Sequence, residues 1–244
     1  MSAVKSPLSI SVALASCNGE SWIRAQVESI LSQLGPHDEL VVADATSTDR
    51  TLEILEGFCD PRVRILRDLP RQDIPGTFER ALCECKGDVL FLSDQDDVWL
   101  PGKVDRCLHA LERSDASLVL HDARIVDETG QVLADSFLEE RQFRPGFFSN
   151  LWRPGYLGCA LAFRRNLLTL ALPFPKDLPM HDWWLGLLAE RSAGVEVIRS
   201  PLILHRRHGG NANFGPGKSP YSLARRLGFR LGMAGAILSR TLRR

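Results

Sequence analysis

The chain has 244 residues, with 30 Lys or Arg against 30 Asp or Glu, 44% hydrophobic and 25% charged. That composition excludes a disordered, collagen-like or coiled-coil chain and suits one α/β domain or two small ones. The zero net charge hides an asymmetry: residues 218–244 hold seven basic residues and no acidic one, so the first 217 carry a net −7.

No apolar run is long enough to span a bilayer. The N-terminal Met1-Ser-Ala-Val-Lys5 leads at once into strand-like alternation rather than a signal peptide, so a cytoplasmic protein is expected. The six cysteines are scattered, with one Cys83-x-Cys85 spacing and no nearby His. Buried free thiols are therefore expected, not a zinc site or a disulfide framework.

In chain order, Leu8 to Leu14 alternates with the period of a strand, and Cys17-Asn18-Gly19-Glu20 is a turn. Ile23, Val27, Ile30, Leu31 and Leu34 fall at helical spacing, stopped by Gly35-Pro36. A second strand, Glu39–Ala43, ends at Asp44; the turn Ala45 to Asp49 opens a helix ending near Gly57. Val63–Leu66 is a third strand, Phe78 to Cys85 a helix, and Val89–Leu92 a fourth strand followed by Ser93-Asp94-Gln95-Asp96-Asp97. Pro101 is placed as the first residue of the next helix. Leu118–Leu120 is a fifth strand, and Arg124–Val126 with Gln131–Leu133 a separate hairpin around Asp127 to Gly130. This alternation predicts a mostly parallel central sheet flanked by helices. Ligands then bind beyond the carboxyl ends of the strands, where Asn18, Asp44, Asp94, Asp96 and Asp97 would meet.

Three carboxylates within Asp94–Asp97 repel one another, and a hard cation such as Mn²⁺ or Mg²⁺ would relieve that repulsion. The alternative is a solvated turn in which Asp97 caps the next helix. The strands ending at Ser16-Cys-Asn18-Gly-Glu20 and at Asp44, the segment Gly76-Thr77-Phe78-Glu79-Arg80, and Ser93 to Trp99 follow one another in fixed order. Together they resemble the family 2 glycosyltransferases of GT-A fold. The Asp-Gln-Asp-Asp-Val-Trp form is most similar to bacterial polysaccharide and rhamnan-type members. Met180-His181-Asp182-Trp183-Trp184 and Leu204-His-Arg-Arg-His208-Gly-Gly-Asn211 extend the resemblance over Pro7 to Asn211.

The resemblance implies a Rossmann-like GT-A domain over 1–217 that takes a nucleotide diphosphate sugar and a glycan or lipid-linked acceptor. Donor contacts would come from Ser16, Asn18, Glu20, Asp44, Asp94, Asp96 and His208. Asp96, Asp97 and His208 are the metal candidates; which carboxylate takes the metal and which the ribose stays open. Asp182 would be the general base of an inverting transfer; its alternative is a helix N-cap. Trp152, Tyr156, Gly158 and Trp183 are assigned to the acceptor side, with core packing as the competing role. The chain departs from the family at Ala45, which cannot hydrogen-bond a pyrimidine, at Thr77 in place of a frequent Asn, and at His181 in place of an acid. Two other functions fit parts of the sequence: a non-catalytic sugar-binding relative, suggested by Ala45, and a metal-dependent phosphohydrolase using the Asp cluster.

Residues 218–244 form a basic tail. Leu223, Leu227, Leu231, Ala234, Leu238 and Leu242 make one helical stripe with the arginines opposite, blurred by Phe229, Met233 and Ile237. A helix lying on the inner face of the cytoplasmic membrane is expected, and nucleic acid is not, because the body is acidic and no nucleic-acid module is recognisable.

Overall fold

A computed structural model describes residues 8–67, 73–209 and 222–242. Gly210, Asn211 and the boundary expected at 217/218 lie outside the described residues.

The elements run β1 (Ile10–Ser16), α1 (Ile23–Leu31), β2 (Glu39–Asp44), α2 (Thr51–Glu56), β3 (Val63–Leu66), α3 (Ile74–Glu84), β4 (Val89–Asp94), β5 (Val98–Trp99) and α4 (Lys103–Glu112). Then follow β6 (Leu118–Val126), β7 (Val132–Ala134), α5 (Phe137–Glu140), α6 (Phe147–Trp152), β8 (Leu161–Arg164), α7 (Leu168–Ala171), α8 (His181–Arg191), β9 (Val195–Arg206) and α9 (Leu223–Thr241). They form one sheet in the order β3-β2-β1-β4-β8-β6-β9-β5, with β7 paired to β6.

The β3-β2-β1-β4 half is wholly parallel, as the strand–helix alternation predicts. The other half is mixed. β8 runs antiparallel to both β4 and β6, and β5 antiparallel to β9, while β6 and β9 pair in parallel. The fifth strand and the first arm of the hairpin are one strand, β6, because the bulge near Asp122 bends the ladder without ending it. α4 begins at Lys103 instead of Pro101: Gly102 takes a left-handed φ of +80° as its N-cap, a conformation cheap only for glycine.

Val12, Leu14, Val41, Leu90 and Phe91 are fully buried, and so are Trp184, Leu185 and Leu188 of α8. α8 is buried on nearly every side, which is why it shows no amphipathic stripe in sequence. Gly186 allows this: a Cβ there would lie 2.3 Å from the Tyr156 ring. The cysteines are all unpaired, but Cys17, Cys59 and Cys83 are exposed, so burial holds only for Cys85, Cys107 and Cys159.

α9, the described part of the tail, packs against the sheet's core. Met233 and Ile237 of α9 are buried in the same core cluster as the sheet. These are two of the residues that blur the leucine stripe, and they are the ones that dock.

Candidate active site

Strand register builds the site. Ser16 at the end of β1 pairs with Asp44 at the end of β2, and Ala15 pairs with Asp94 at the end of β4. The three polar turns therefore leave the sheet at one level and are stitched together. Ser16 Oγ donates to Asp44 Oδ1 at 2.9 Å. Asp44 also accepts from the Ser47 amide and hydroxyl at 2.7 and 2.6 Å. Asn18, with φ +50°, accepts on Oδ1 from the Thr48 amide at 2.8 Å. Glu20 accepts from the Arg50 amide at 3.0 Å, while its own amide donates to Asp49. Gln95 clasps the Cys17 backbone from both sides, accepting from N at 2.7 Å and donating to O at 2.9 Å. Asn18, Glu20 and Asp44 thus shape the rim through bonds to its own turns, and Asn18 and Glu20 remain exposed.

The Asp cluster divides. β5 pairs with β9, Val98 opposite Leu204, and this pins the 94–97 turn over the end of β9. Asp96 Oδ2 lies 2.8 Å from His208 Nε2. Trp22 stacks on the His208 ring at 5.9 Å, and Arg206 lies 4.5 Å from the Trp22 ring centre. Asp97 turns inward. Its Oδ1 accepts from His205 Nδ1 at 2.9 Å and from the Arg206 amide at 3.1 Å. It does not cap α4, whose N-cap is Gly102. The metal set expected as Asp96, Asp97 and His208 is therefore two sets. Asp96 and His208 face each other, whereas Asp97, Cys159 and His205 offer ligand atoms within 4.8 Å of one another in the buried interior.

Charges in this corner are far from their ordinary state. Burial, then Asp97 and Asp96, push the Asp94 carboxyl up to about 8. Burial and Asp97 also raise Asp96, against the pull of His208. Burial opposes ionised Asp97, but His205 outweighs it, and the net shift is downward. Burial likewise opposes charged His205, yet Asp97 holds it above its usual value. Beneath them Lys103 is fully buried and donates to the Cys159 carbonyl at 2.8 Å, 4.0 Å from the Trp99 ring centre. Burial lowers its ammonium to about 8.

Asp182 is the second residue of α8; the N-cap is Met180, so the capping alternative does not apply. The carboxylate is buried, and that burial raises it to about 6, opposed by backbone bonds from Trp183 and Gly158 and by Arg141. Its negative charge adds a small part to the upward shift of Asp94. Gly158 permits the approach: a Cβ there would lie 2.9 Å from His181 Nε2. His181 stacks on Phe78 at 4.0 Å, and burial lowers it to about 3, so it is neutral beside Asp182.

Of the acceptor-side residues, Tyr156 and Trp183 are buried. Tyr156 donates to Glu190 at 3.0 Å and Trp183 Nε1 donates to the Asn150 carbonyl at 2.8 Å, so neither offers a ring face to a sugar. Trp152 is exposed. Sequence reasoning missed His205, Lys103 and Cys159. His205 stood inside a quoted motif but carried no signal of its own, because its partner Asp97 is 108 residues away.

Carboxylates gathered beyond the carboxyl edge of a parallel sheet mark the place where an α/β enzyme binds its ligand. The chain belongs to glycosyl transferase family 2, whose model matches residues 11–169, and it is by that membership a glycosyltransferase. It is 28% identical over 214 residues to the dTDP-rhamnosyl transferase RfbG of Shigella flexneri, covering 81% of this chain and 72% of that one. It is 27% identical over 195 residues to the UDP-Glc:alpha-D-GlcNAc-diphosphoundecaprenol beta-1,3-glucosyltransferase WfgD of Escherichia coli, covering 80% and 74%. In structure it resembles Staphylococcus aureus TarS 1–349 in complex with UDP (TM-score 0.66, 19% identity, 82% of this chain and 61% of that one). It also resembles Mycobacterium tuberculosis glucosyl-3-phosphoglycerate synthase with Mn²⁺, UDP-glucose and phosphoglyceric acid (TM-score 0.60, 22% identity, 97% and 80%). These likenesses bear out the expected GT-A fold. Family membership sets the phosphohydrolase reading aside.

Proposed function

We propose that the chain is an inverting, metal-dependent transferase that moves a sugar from a nucleoside diphosphate donor to a hydroxyl of a glycan or lipid-linked acceptor in surface polysaccharide synthesis. The observation that carries this is the buried carboxyl of Asp182, raised to about 6 by its burial and contributing to the charge that raises Asp94. One base near neutrality and one charged leaving-group site are what a direct displacement requires. The named specificities of RfbG and WfgD support the donor and acceptor classes.

The residues fit a divalent cation: Asp96 and His208 converge, and burial first, then neighbouring carboxylates, raises Asp94 and Asp96. When bound, Mn²⁺ or Mg²⁺ would supply positive charge to the departing diphosphate. Asp96 and His208 would hold it, with Asp94 beside them; Asp97 and His205 would fix the turn that carries Asp96. Asn18, Asp44 and the Ser47–Thr48 turn would border the nucleoside. Ala45 offers no side-chain hydrogen bond, so base recognition would fall to the backbone around it. Asp182 would accept the acceptor hydroxyl's proton while neutral His181 leaves its charge undisturbed. The enzyme would work at the inner face of the cytoplasmic membrane, held there by the tail; among the described residues no helix is long and apolar enough to cross a membrane.

Ligands that bind only the native state raise its melting temperature. A thermal-shift screen should show stabilisation by UDP or dTDP that depends on added Mn²⁺ or Mg²⁺. Stabilisation that EDTA leaves unchanged would contradict the metal's part in the site.

A further inference from the structure

The sequence leaves open which face of α9 a membrane would meet. α9 docks through Met233 and Ile237, with Phe229 and Ala236 packed against the core. Two arginines lie on this same side and hold the helix down. Arg230 Nε and Nη2 donate to the Trp152 carbonyl at 3.1 and 2.6 Å, with the guanidinium 4.8 Å from the Trp152 ring centre. Arg240 donates to the Leu172 and Pro173 carbonyls at 2.8 and 2.6 Å. Trp152 ends α6 and Leu172 follows α7, so both arginines meet carbonyls at helix C-termini, where cations are favoured.

Docking by this face turns the leucine stripe outward. Leu223, Leu227, Leu231, Leu238 and Leu242 are 80, 50, 66, 55 and 73% exposed. Beside them on α6, Phe148 and Trp152 are 82 and 69% exposed, one helical turn apart on one face. Seven of the ten large apolar side chains exposed among the described residues thus lie on two touching helices. Single exposed leucines need no explanation, but a contiguous cluster marks an interaction surface.

We propose that the outward face of α9, with Phe148 and Trp152 of α6, is the surface that enters the headgroup–acyl boundary of an anionic lipid bilayer. This rests on the membrane placement above and names the face that does it. Charge selects this occupant. The segment 218–244 carries seven basic residues and no acidic one, on a body of −7. An anionic surface is repelled by the body's net negative charge and attracted by this segment. A second copy would set the same basic helix against itself across a two-fold axis. An apolar outward face on a strongly basic segment, with aromatic rings at its edge, is the pattern of a helix lying in the interface plane. α9 also packs on α8, the helix that carries Asp182, so docking holds the base one helix layer from the lipid.

The test uses the full chain and its Leu231→Glu, Leu238→Glu double variant, sedimented with phosphatidylcholine vesicles made with and without phosphatidylglycerol. Both positions are exposed, so the melting temperature should not change. Wild type should bind phosphatidylglycerol vesicles, and the double variant should bind about tenfold less. No binding by wild type would overturn the membrane placement itself. Equal binding by both proteins would overturn the assignment of the face and leave that placement standing. A wild-type dimer in solution that the double variant dissociates, with vesicle binding unchanged, would give the face to a second copy and overturn the proposal.

Discussion

Asp182→Asn should lower kcat for sugar transfer by about 10²–10⁴ and leave Mn²⁺-dependent nucleotide binding unchanged. The amide keeps the size of the carboxyl and cannot take a proton. That loss should not come from unfolding. The native carboxyl is raised to about 6, so its ionised form is the disfavoured one in the fold. That penalty is present at pH 7 and disappears as pH falls through 6 toward the ordinary carboxylate range. At pH 7 the variant should therefore melt at the same temperature as wild type or higher. The same shift sets the acid limb of wild-type kcat/KM. At saturating Mn²⁺ the rate should be level above about pH 6 and fall tenfold per unit below it. Wild-type-like turnover by Asp182→Asn would remove this residue from the base position.

Asp96→Asn should cost donor binding as well as rate. Asp96 lies 2.8 Å from His208, whereas Asp97 is engaged by His205 and the Arg206 amide. The two carboxylates therefore fail in different ways. With Asp96→Asn, nucleoside diphosphate affinity in Mn²⁺ falls by at least tenfold, about 1.4 kcal/mol, toward the value seen in EDTA, and the melting temperature holds. With Asp97→Asn the chief effect is a lower melting temperature, because His205 loses a buried charge partner. Isothermal titration with UDP or dTDP beside thermal melts separates the two. Equal loss of metal-dependent affinity in both variants would return Asp97 to the metal set.

The polar edge of the candidate site was readable in the sequence because it rests on local signals. Strand alternation followed by Asn18, Asp44 and Asp94 places each polar turn at a strand end, and a parallel sheet brings those ends together. The direction of Asp97 was not readable. It depends on β5 pairing with β9 across more than a hundred residues, which no local period encodes. Tyr156 and Trp183 look alike in sequence as aromatic rings near the site, yet Glu190 and the Asn150 carbonyl claim their polar ends and the core takes their faces. The tail was half readable. Its leucine stripe and arginines were evident, but Met233 and Ile237, which looked like flaws in an amphipathic helix, are the residues that dock it.

The most direct test is turnover by the purified chain with Mn²⁺, UDP- and dTDP-sugars and a short-chain lipid-diphosphate glycan acceptor, the product's anomeric configuration being read by NMR. The account predicts release of the nucleoside diphosphate and a new glycosidic bond of configuration opposite to the donor's, both absent with Asp182→Asn. A product that retains the donor configuration, or a donor that binds and is never consumed, would contradict it.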